Sequence, residues 1–539
     1  MLSTALVLFL ALVTAYLLTL GRNSSPHSPP CFSIPYLPSF LSGLVAIVQL
    51  GADEDGFLKK LQLEYGSVVY LPWPLKQYLV LEATPIDQVY KANSKVLSFL
   101  PIRREMQKTV FDAGEYWKDI DTMGAFYKVH SRGLQKSQLD SSVARFVSVM
   151  ERQVEELATR LDSTKGGELE LNLDERVTDM FFEASLVGLF GPRMREPSGI
   201  SKEAFRKAFD EFDGAFPLLA SGLLPLPLAN LIFWKGKKSQ HVLADTLQQW
   251  VEEGFPGLEE GVIRDMAQVA IDRGLGTKEA GKVLVADAWA LQANAPYVVS
   301  QLLLYLLQSP PSLFSDVLSE IDHSTSLAYS TSSSPLTIDH LSQHLPLLQS
   351  CITETLRIGT SVFSIRDVQQ PVRLDSGRRE GGNEVVVPSN SRVICATRAS
   401  HLDKRLWGDT VEEWDGKRFF DGDGETIEDE NGKLVPKSQQ SRQVWGFGGG
   451  ISRCEGNVLA TMELKSFASI ILSKFELTLL GPSSEGAEHY EPVKFIGTKD
   501  GIRPKRKTGR VGLGVLQFDH DVRVKIRRRP SRQTNASQS

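Results

Sequence analysis

Apolar residues fall into three kinds of pattern along this 539-residue chain. The first is an uncharged run, Leu2 to Leu20, interrupted only by Ser3, Thr4, Thr14, Tyr16 and Thr19. It has about the length that spans a bilayer as a helix and predicts a transmembrane anchor over 1–21. The second is helical spacing: Phe57 to Tyr65, Arg145 to Leu161 and Asp174 to Leu189 place apolar residues three and four apart, as amphipathic helices do. The third is short β-branched or apolar runs. Ser67 to Leu71 and Tyr78 to Leu81, with Pro72 and Pro74 between them, read as paired strands, and Glu384 to Pro388 and Arg392 to Thr397 as two more. The pattern predicts a mainly α fold with a small β region.

Val283 to Gln308 is the longest strongly apolar helical stretch in the body, so it belongs in the interior of a large domain. Its internal Pro296 removes a backbone bond and predicts a local opening. Elsewhere polar and turn residues punctuate the chain. Ser24 to Pro30, with Pro35 and Pro38, reads as a semi-rigid hinge over 22–38. Thr325 to Ser334 and Asp421 to Gln440 read as surface loops. Lys525 to Arg529 and the Ser/Asn/Gln end read as a basic disordered tail, bounded at 527–539. No second linker interrupts the body, so 39–526 is expected to be one catalytic domain.

Composition narrows the class. A hydrophobic content of 42% supports a large core, and a net charge of −5 gives no reason to expect a nucleic-acid partner. Four cysteines, Cys31, Cys351, Cys395 and Cys454, have no framework spacing, which favours a reducing compartment. Arg22 follows the apolar run and no basic residue precedes it, so the charge bias places the body on the cytosolic side. A cleaved signal peptide is the rival reading, against which stand the run's length and the missing positive start.

The candidate chemistry centres on Phe447-Gly448-Gly449-Gly450-Ile451-Ser452-Arg453-Cys454-Glu455-Gly456. A cysteine after three glycines and before a helix-forming apolar run suits a thiolate held by free N–H groups at a helix start. Such a thiolate is a ligand for iron, and Phe447 can shield it from water. A structural cysteine in a glycine-rich turn is the plainer alternative. Phe447, Gly450, Cys454 and Gly456 stand where the haem-thiolate signature Phe-x-x-Gly-x-x-x-Cys-x-Gly has its defining residues, and the stretch resembles the cytochrome P450 family. One departure is Ser452, where members usually carry an arginine; Arg453 follows one place late.

Two further stretches fit that resemblance. Glu354 and Arg357, three apart on a helix, share a face and can pair. The family adds an arginine from a Phe-x-Pro-x-Arg-Phe stretch, matched here by Trp414-Asp415-Gly416-Lys417-Arg418-Phe419, so Arg418 is implied to close a structural charge network. Arg366 matches the family's propionate-binding arginine. The usual Trp-x-x-x-Arg pair fails, because Trp117 is followed at that spacing by Asp121; Lys128, His130 and Arg132 could substitute, though a solvated helix face explains them better. In the central segment, Trp289-Ala290-Leu291-Gln292-Ala293-Asn294-Ala295-Pro296 resembles the branch containing sterol 7α- and 12α-hydroxylases and prostacyclin synthase. Asn294 takes the place of the acid that relays protons, and Ala295 that of the alcohol.

What the resemblance implies is a P450 fold holding haem b with Cys454 as axial ligand. It also implies a single-pass endoplasmic reticulum anchor with a cytosolic body. The leading function is monooxygenation of a lipophilic small molecule, of terpenoid, sterol-like or polyketide type in secondary metabolism. NADPH-cytochrome P450 reductase would supply the electrons, because the chain has no dinucleotide or flavin fingerprint. Asn294 is the catalytic candidate. Its failure to titrate keeps open an isomerase or dehydratase acting on an activated oxygen substrate, and a non-catalytic haem sensor is the third possibility.

Overall fold

The computed structural model describes residues 28–114, 120–222, 226–331, 336–376, 384–422, 424–428, 434–481, 487–507 and 510–530. The expected anchor at 1–21 and Trp117 lie outside them. No helix among the described residues is long and apolar enough to cross a membrane.

Helices make most of the body. Those used below are α1 (Ile120–Gly133), α2 (Asp140–Asp162), α3 (Leu173–Phe190), α4 (Lys202–Ser221), α5 (Gly276–Ala293), α6 (Ala295–Gln308), α7 (Pro346–Gly359) and α8 (Asn457–Lys474). In α2 the buried Val143, Phe146, Val147, Met150, Val154, Leu157 and Leu161 recur at three and four, one stripe facing the core. α3, α6 and α8 are buried over most of their length. All these helices share one hydrophobic core, within which Phe181 stacks on Phe467 of α8.

The strands named here are β1 (Val68–Leu71), β2 (Gln77–Val80), β3 (Glu168–Asn172), β4 (Thr360–Val368), β5 (Ser391–Ala396), β6 (Phe475–Leu479), β7 (Leu513–Val515) and β8 (Arg523–Arg528). The main sheet runs β1-β2-β5-β4-β7, with Leu97–Ser98 joined to β4. β2 and β5 are parallel, with Tyr78 opposite Val393; β4 and β5 are antiparallel, with Arg366 opposite Val393. This sheet packs on a second apolar cluster that includes Phe32, Leu61 and Leu79.

Several expectations need correction. Glu384–Val387 does not join the main sheet; it pairs with Val372–Asp375 as a separate hairpin. From Pro30 onward the proline-rich stretch is not a free hinge: Pro30 O accepts from Tyr70 N at 2.8 Å, Phe32 N donates to Tyr70 O at 2.9 Å, and Phe32 is buried. Thr325 to Thr331 is not a loop but the last part of the helix Pro311–Thr331, and the Asp421 to Gln440 stretch contains the hairpin Thr426–Glu428 with Leu434–Pro436.

The basic segment Lys525 to Arg529 is not disordered either. β8 pairs with both β3 and β6, burying Val524 and Ile526. Its arginines meet carboxylates: Arg527 pairs with Glu476, Arg528 with Asp162, and Arg529, just beyond, with Asp322. Apolar residues alternating with basic ones fit a strand with one buried face.

Candidate haem-thiolate site

α8 begins at Asn457, and Cys454 lies just before it. Cys454 N donates to Phe447 O at 2.9 Å, closing the loop on itself, and Cys454 O accepts from Asn457 Nδ2 at 2.6 Å. The loop needs a glycine at 450 on two counts. Its φ is +66°, and a Cβ there would stand 2.0 Å from the carbonyl oxygen of Tyr90, so any side chain would push the loop off the body. Gly456 is different: a Cβ would lie 3.9 Å from Cys454 Sγ, an ordinary contact. What it supplies is an N–H to the sulfur.

Burial is the main influence on the Cys454 thiol and raises its pKa, with the Gly456 N–H pulling the other way. The free thiol therefore keeps its proton, and ligation of iron would displace it. Though protein surrounds it closely, Cys454 keeps accessible surface. Half of α5 is buried, and Ala286, Asp287, Ala290 and Leu291, continuing to Asn294 and Tyr297, keep accessible surface. Their spacing of three and four makes one stripe, and Asp287 on it is bridged through His130 to Glu455, next to Cys454.

Arg366 tests whether the cysteine site suits haem. It is 5% exposed and donates only to Ile365 O at 2.8 Å and Gly449 O at 3.4 Å, with no carboxylate partner among the described residues. Burial, its leading influence, lowers its pKa. A buried guanidinium beside the cysteine loop without an anion is incomplete, and a propionate would complete it. The residues fit the group. Arg453, by contrast, is exposed.

The expected charge network is present. Arg357 donates to both Glu354 oxygens at 2.7 Å, Arg418 Nε to Glu354 Oε1 at 3.0 Å, and Asp415 N to the same oxygen at 3.2 Å; Glu354 and Arg357 are fully buried. Burial works to raise the Glu354 pKa, but the two guanidinium groups outweigh it and the net shift is downward. Trp414, standing where the family has phenylalanine, is buried and donates to Thr355 Oγ1 at 3.2 Å.

Sequence reasoning missed His401, which joins this network to the cysteine loop. Arg357 Nη1 donates to His401 O at 2.8 Å, and His401 Nε2 accepts from Trp445 N at 2.9 Å, two residues before Phe447. Burial, then the charges of Arg357 and Arg398, push His401 down to about 3, so the ring is neutral as its acceptor role requires. His130 was also misjudged. Lys128 and Arg132 are exposed as expected, but His130 is held between Asp287, at 2.9 Å, and Glu455. Burial lowers its pKa, yet the two carboxylates prevail and raise it to about 9.

At the opening, the helix breaks completely: α5 ends at Ala293 and α6 starts at Ala295, with Pro296 in its first turn. Asn294 Oδ1 accepts from Val515 N of β7 at 2.8 Å. Gly514 makes this approach possible, since a Cβ there would stand 2.1 Å from that oxygen.

The cytochrome P450 family profile matches residues 35–495. Among curated proteins, the chain is similar to the human 7-alpha-hydroxycholest-4-en-3-one 12-alpha-hydroxylase, 22% identical over 97% of this chain and 98% of that one. It is 25% identical to rat prostacyclin synthase over 94% of each, and 26% identical to rat cytochrome P450 7A1 over 65% of this chain and 64% of that one. With its cysteine loop, buried charge network and accessible helix stripe matched by a profile over most of its length, the chain belongs to the cytochrome P450 family of haem-thiolate monooxygenases.

Proposed function

We propose that this chain hydroxylates a lipophilic small molecule, of sterol-like, terpenoid or polyketide type, in a secondary metabolic pathway. The observation that carries this reading is the accessible and largely apolar stripe of Ala286, Ala290 and Leu291 on α5, tied through Asp287 and His130 to Glu455 beside Cys454. In the balanced reaction, one atom of O2 enters a C–H bond and the other leaves as water, taking two electrons from NADPH and two protons. Those electrons would come through a membrane reductase, with an anchor at 1–21 holding this chain at the endoplasmic reticulum beside it. Bound haem supplies the redox chemistry of a thiolate-ligated iron.

The residues of the chain do the positioning. Cys454 would give up its proton to ligate the iron, Arg366 would hold a propionate, and Phe447 and Gly450 shape the loop. Asn294 is the candidate catalytic group. Its Oδ1 is occupied by Val515, while its Nδ2 has no acceptor among the described residues, so it offers a hydrogen bond to a water or a substrate oxygen on the distal side. An amide donates without titrating, and Ala295 has no hydroxyl. That combination is the specific ground for a second reading, an isomerase or dehydratase whose substrate already carries activated oxygen.

One preparation separates the two. The reduced, carbon-monoxide-bound spectrum of wild type and Cys454→Ala is followed by NADPH consumption and product formation with a eukaryotic reductase. A thiolate-type band lost in the variant, with turnover dependent on reductase, supports the hydroxylase. The same band with turnover independent of reductase supports the isomerase, and the absence of a thiolate band overturns both.

A further inference from the structure

Near the C-terminal end of the body, His489, Asp519 and His520 carry metal-ligating atoms that the cysteine site does not use. His489 ends a single 3₁₀ turn just before the hairpin of Tyr490–Phe495 with Gly501–Pro504, and Asp519 and His520 lie in the connection from β7 to β8. They are distant in sequence, and backbone hydrogen bonds bring them together. Lys505 N donates to His489 O at 2.8 Å, and Asp519 N donates to Lys505 O at 2.9 Å.

The residues that follow each histidine are tied as well. The Tyr490 hydroxyl donates to Asp521 O at 2.8 Å, and the Asp521 carboxylate accepts from Asp174 N and Glu175 N at the start of α3, each at 2.8 Å. The two histidines therefore stand on a fixed frame.

On that frame the two imidazoles stack, with ring centroids 3.6 Å apart and planes 24° from parallel. One ring nitrogen from each and one oxygen of Asp519 all lie within 4.8 Å of one another. Ligand atoms at about 2.0–2.2 Å from a tetrahedral zinc ion stand about 3.3–3.6 Å apart, so closing in by about 1 Å through side-chain rotation brings the three donors onto one ion. Glu488 Oε1, 3.5 Å from His489 Nε2, is a candidate fourth ligand, and water is the other.

Access and charge agree with this. The side chains of His489, His520 and Asp519 are between 32% and 46% exposed, so an ion reaches them from solvent without opening the fold. The neighbouring arginines have their own carboxylates: Arg503 pairs with Glu491, Arg506 with Asp55 and Arg523 with Glu170. Lys505 is exposed, and its ammonium extends into water. The imidazoles select the metal, because magnesium and calcium take oxygen donors whereas zinc and its first-row neighbours accept a mixed nitrogen and oxygen set.

We propose that His489, His520 and Asp519 form a site for a divalent transition ion of the zinc class, which staples the hairpin to the β7–β8 connection. Asp519 and His520 lie beyond residue 495, where the match to the family profile ends. The ion would fix the connection four residues past Val515, whose N–H binds Asn294, and next to Asp521, which holds α3. An unfolded chain lacks this grouping, so binding stabilises the fold by mass action.

The test is equilibrium dialysis of haem-loaded, full-length protein against zinc chloride at neutral pH. The proteins compared are wild type, His489→Ala, His520→Ala and, as a control, His323→Ala, which alters an exposed histidine of the helix Pro311–Thr331. Wild type and His323→Ala are expected to bind zinc alike, and each of the other two variants to bind it at least about tenfold more weakly. A large excess of magnesium chloride is expected to leave the zinc bound. Saturating zinc is expected to raise the thermal midpoint of wild type, followed by circular dichroism, and to leave both weakened variants at their metal-free values. The altered side chains are part-exposed, and an unchanged carbon-monoxide band in each variant checks that it has folded. No zinc binding by wild type, affinity retained in both His489→Ala and His520→Ala, displacement by magnesium, or a midpoint that zinc does not raise overturns the proposal.

Discussion

Glu354→Gln isolates the buried charge network with almost no change in shape. Glu354 receives four N–H groups, two from Arg357 at 2.7 Å, one from Arg418 at 3.0 Å and one from Asp415 at 3.2 Å. Glutamine keeps one acceptor oxygen but turns an NH2 toward a guanidinium, and leaves two arginines in the interior without a counter-charge. Arg357 retains the carbonyls of His401 and Val411, both at 2.8 Å, and Arg418 that of Thr410 at 3.0 Å, so part of the solvation survives. Removing one member of a buried pair costs about 3–5 kcal/mol, a shift of about a hundred- to several-thousandfold in the folding equilibrium. Because the same arginine binds the backbone of His401, which holds Trp445, the damage should reach the cysteine loop. The assay is a urea titration of haem-loaded protein, following far-UV circular dichroism and the thiolate band in parallel. Both transitions are expected at lower urea, with the band lost first. Coincidence with wild type in both signals would refute the argument that Glu354 supports the loop.

Two further outcomes follow from the same region. His401 is neutral in the folded protein and held at about 3, so the unfolded chain binds the extra proton; stability from this group is intact above about pH 6.5 and falls as pH drops toward 3, by about 2 kcal/mol at pH 5. His401→Gln, which retains an acceptor for Trp445, should flatten the pH dependence of the unfolding midpoint between pH 5 and 7, and an unchanged slope would exclude this histidine as the source. Gly450→Ala meets both a φ of +66° and the Tyr90 carbonyl; haem retention after gel filtration is expected to fall severalfold, while secondary structure by circular dichroism stays near wild type.

Local order carried much of the fold and site into view. Cys454 with its glycines, and Glu354 with Arg357 three places later, are short-range patterns, and Arg418 and Arg366 followed from family spacing. His401, His130 and the His489 cluster were hidden because their partners lie far along the chain: His130 meets Glu455, and His489 meets His520. No local period encodes such pairs. His401 had no usable local signal, because Ala396 to Leu402 mixes Thr397, Arg398 and Ser400 with its apolar residues. β8 was misread for another reason. Charge count outweighed the alternation of Val524 and Ile526 with Arg523, Lys525 and Arg527, the period-2 signal that marks a half-buried strand.

The strand β8 also sets an order of events during synthesis. β3, completed early in translation, and β6, completed late, both have β8 as their neighbour in the three-stranded sheet, and β8 ends at Arg528. Until that residue has left the ribosome, β3 presents open backbone edges and Leu169 and Leu171 lack the face of Val524 and Ile526. Folding of the body therefore cannot finish domain-half by domain-half as the chain emerges. Release of the last strand is the step that seals it, and a chain stopped before Arg523 would offer those edges to chaperones and proteases for as long as it lasted.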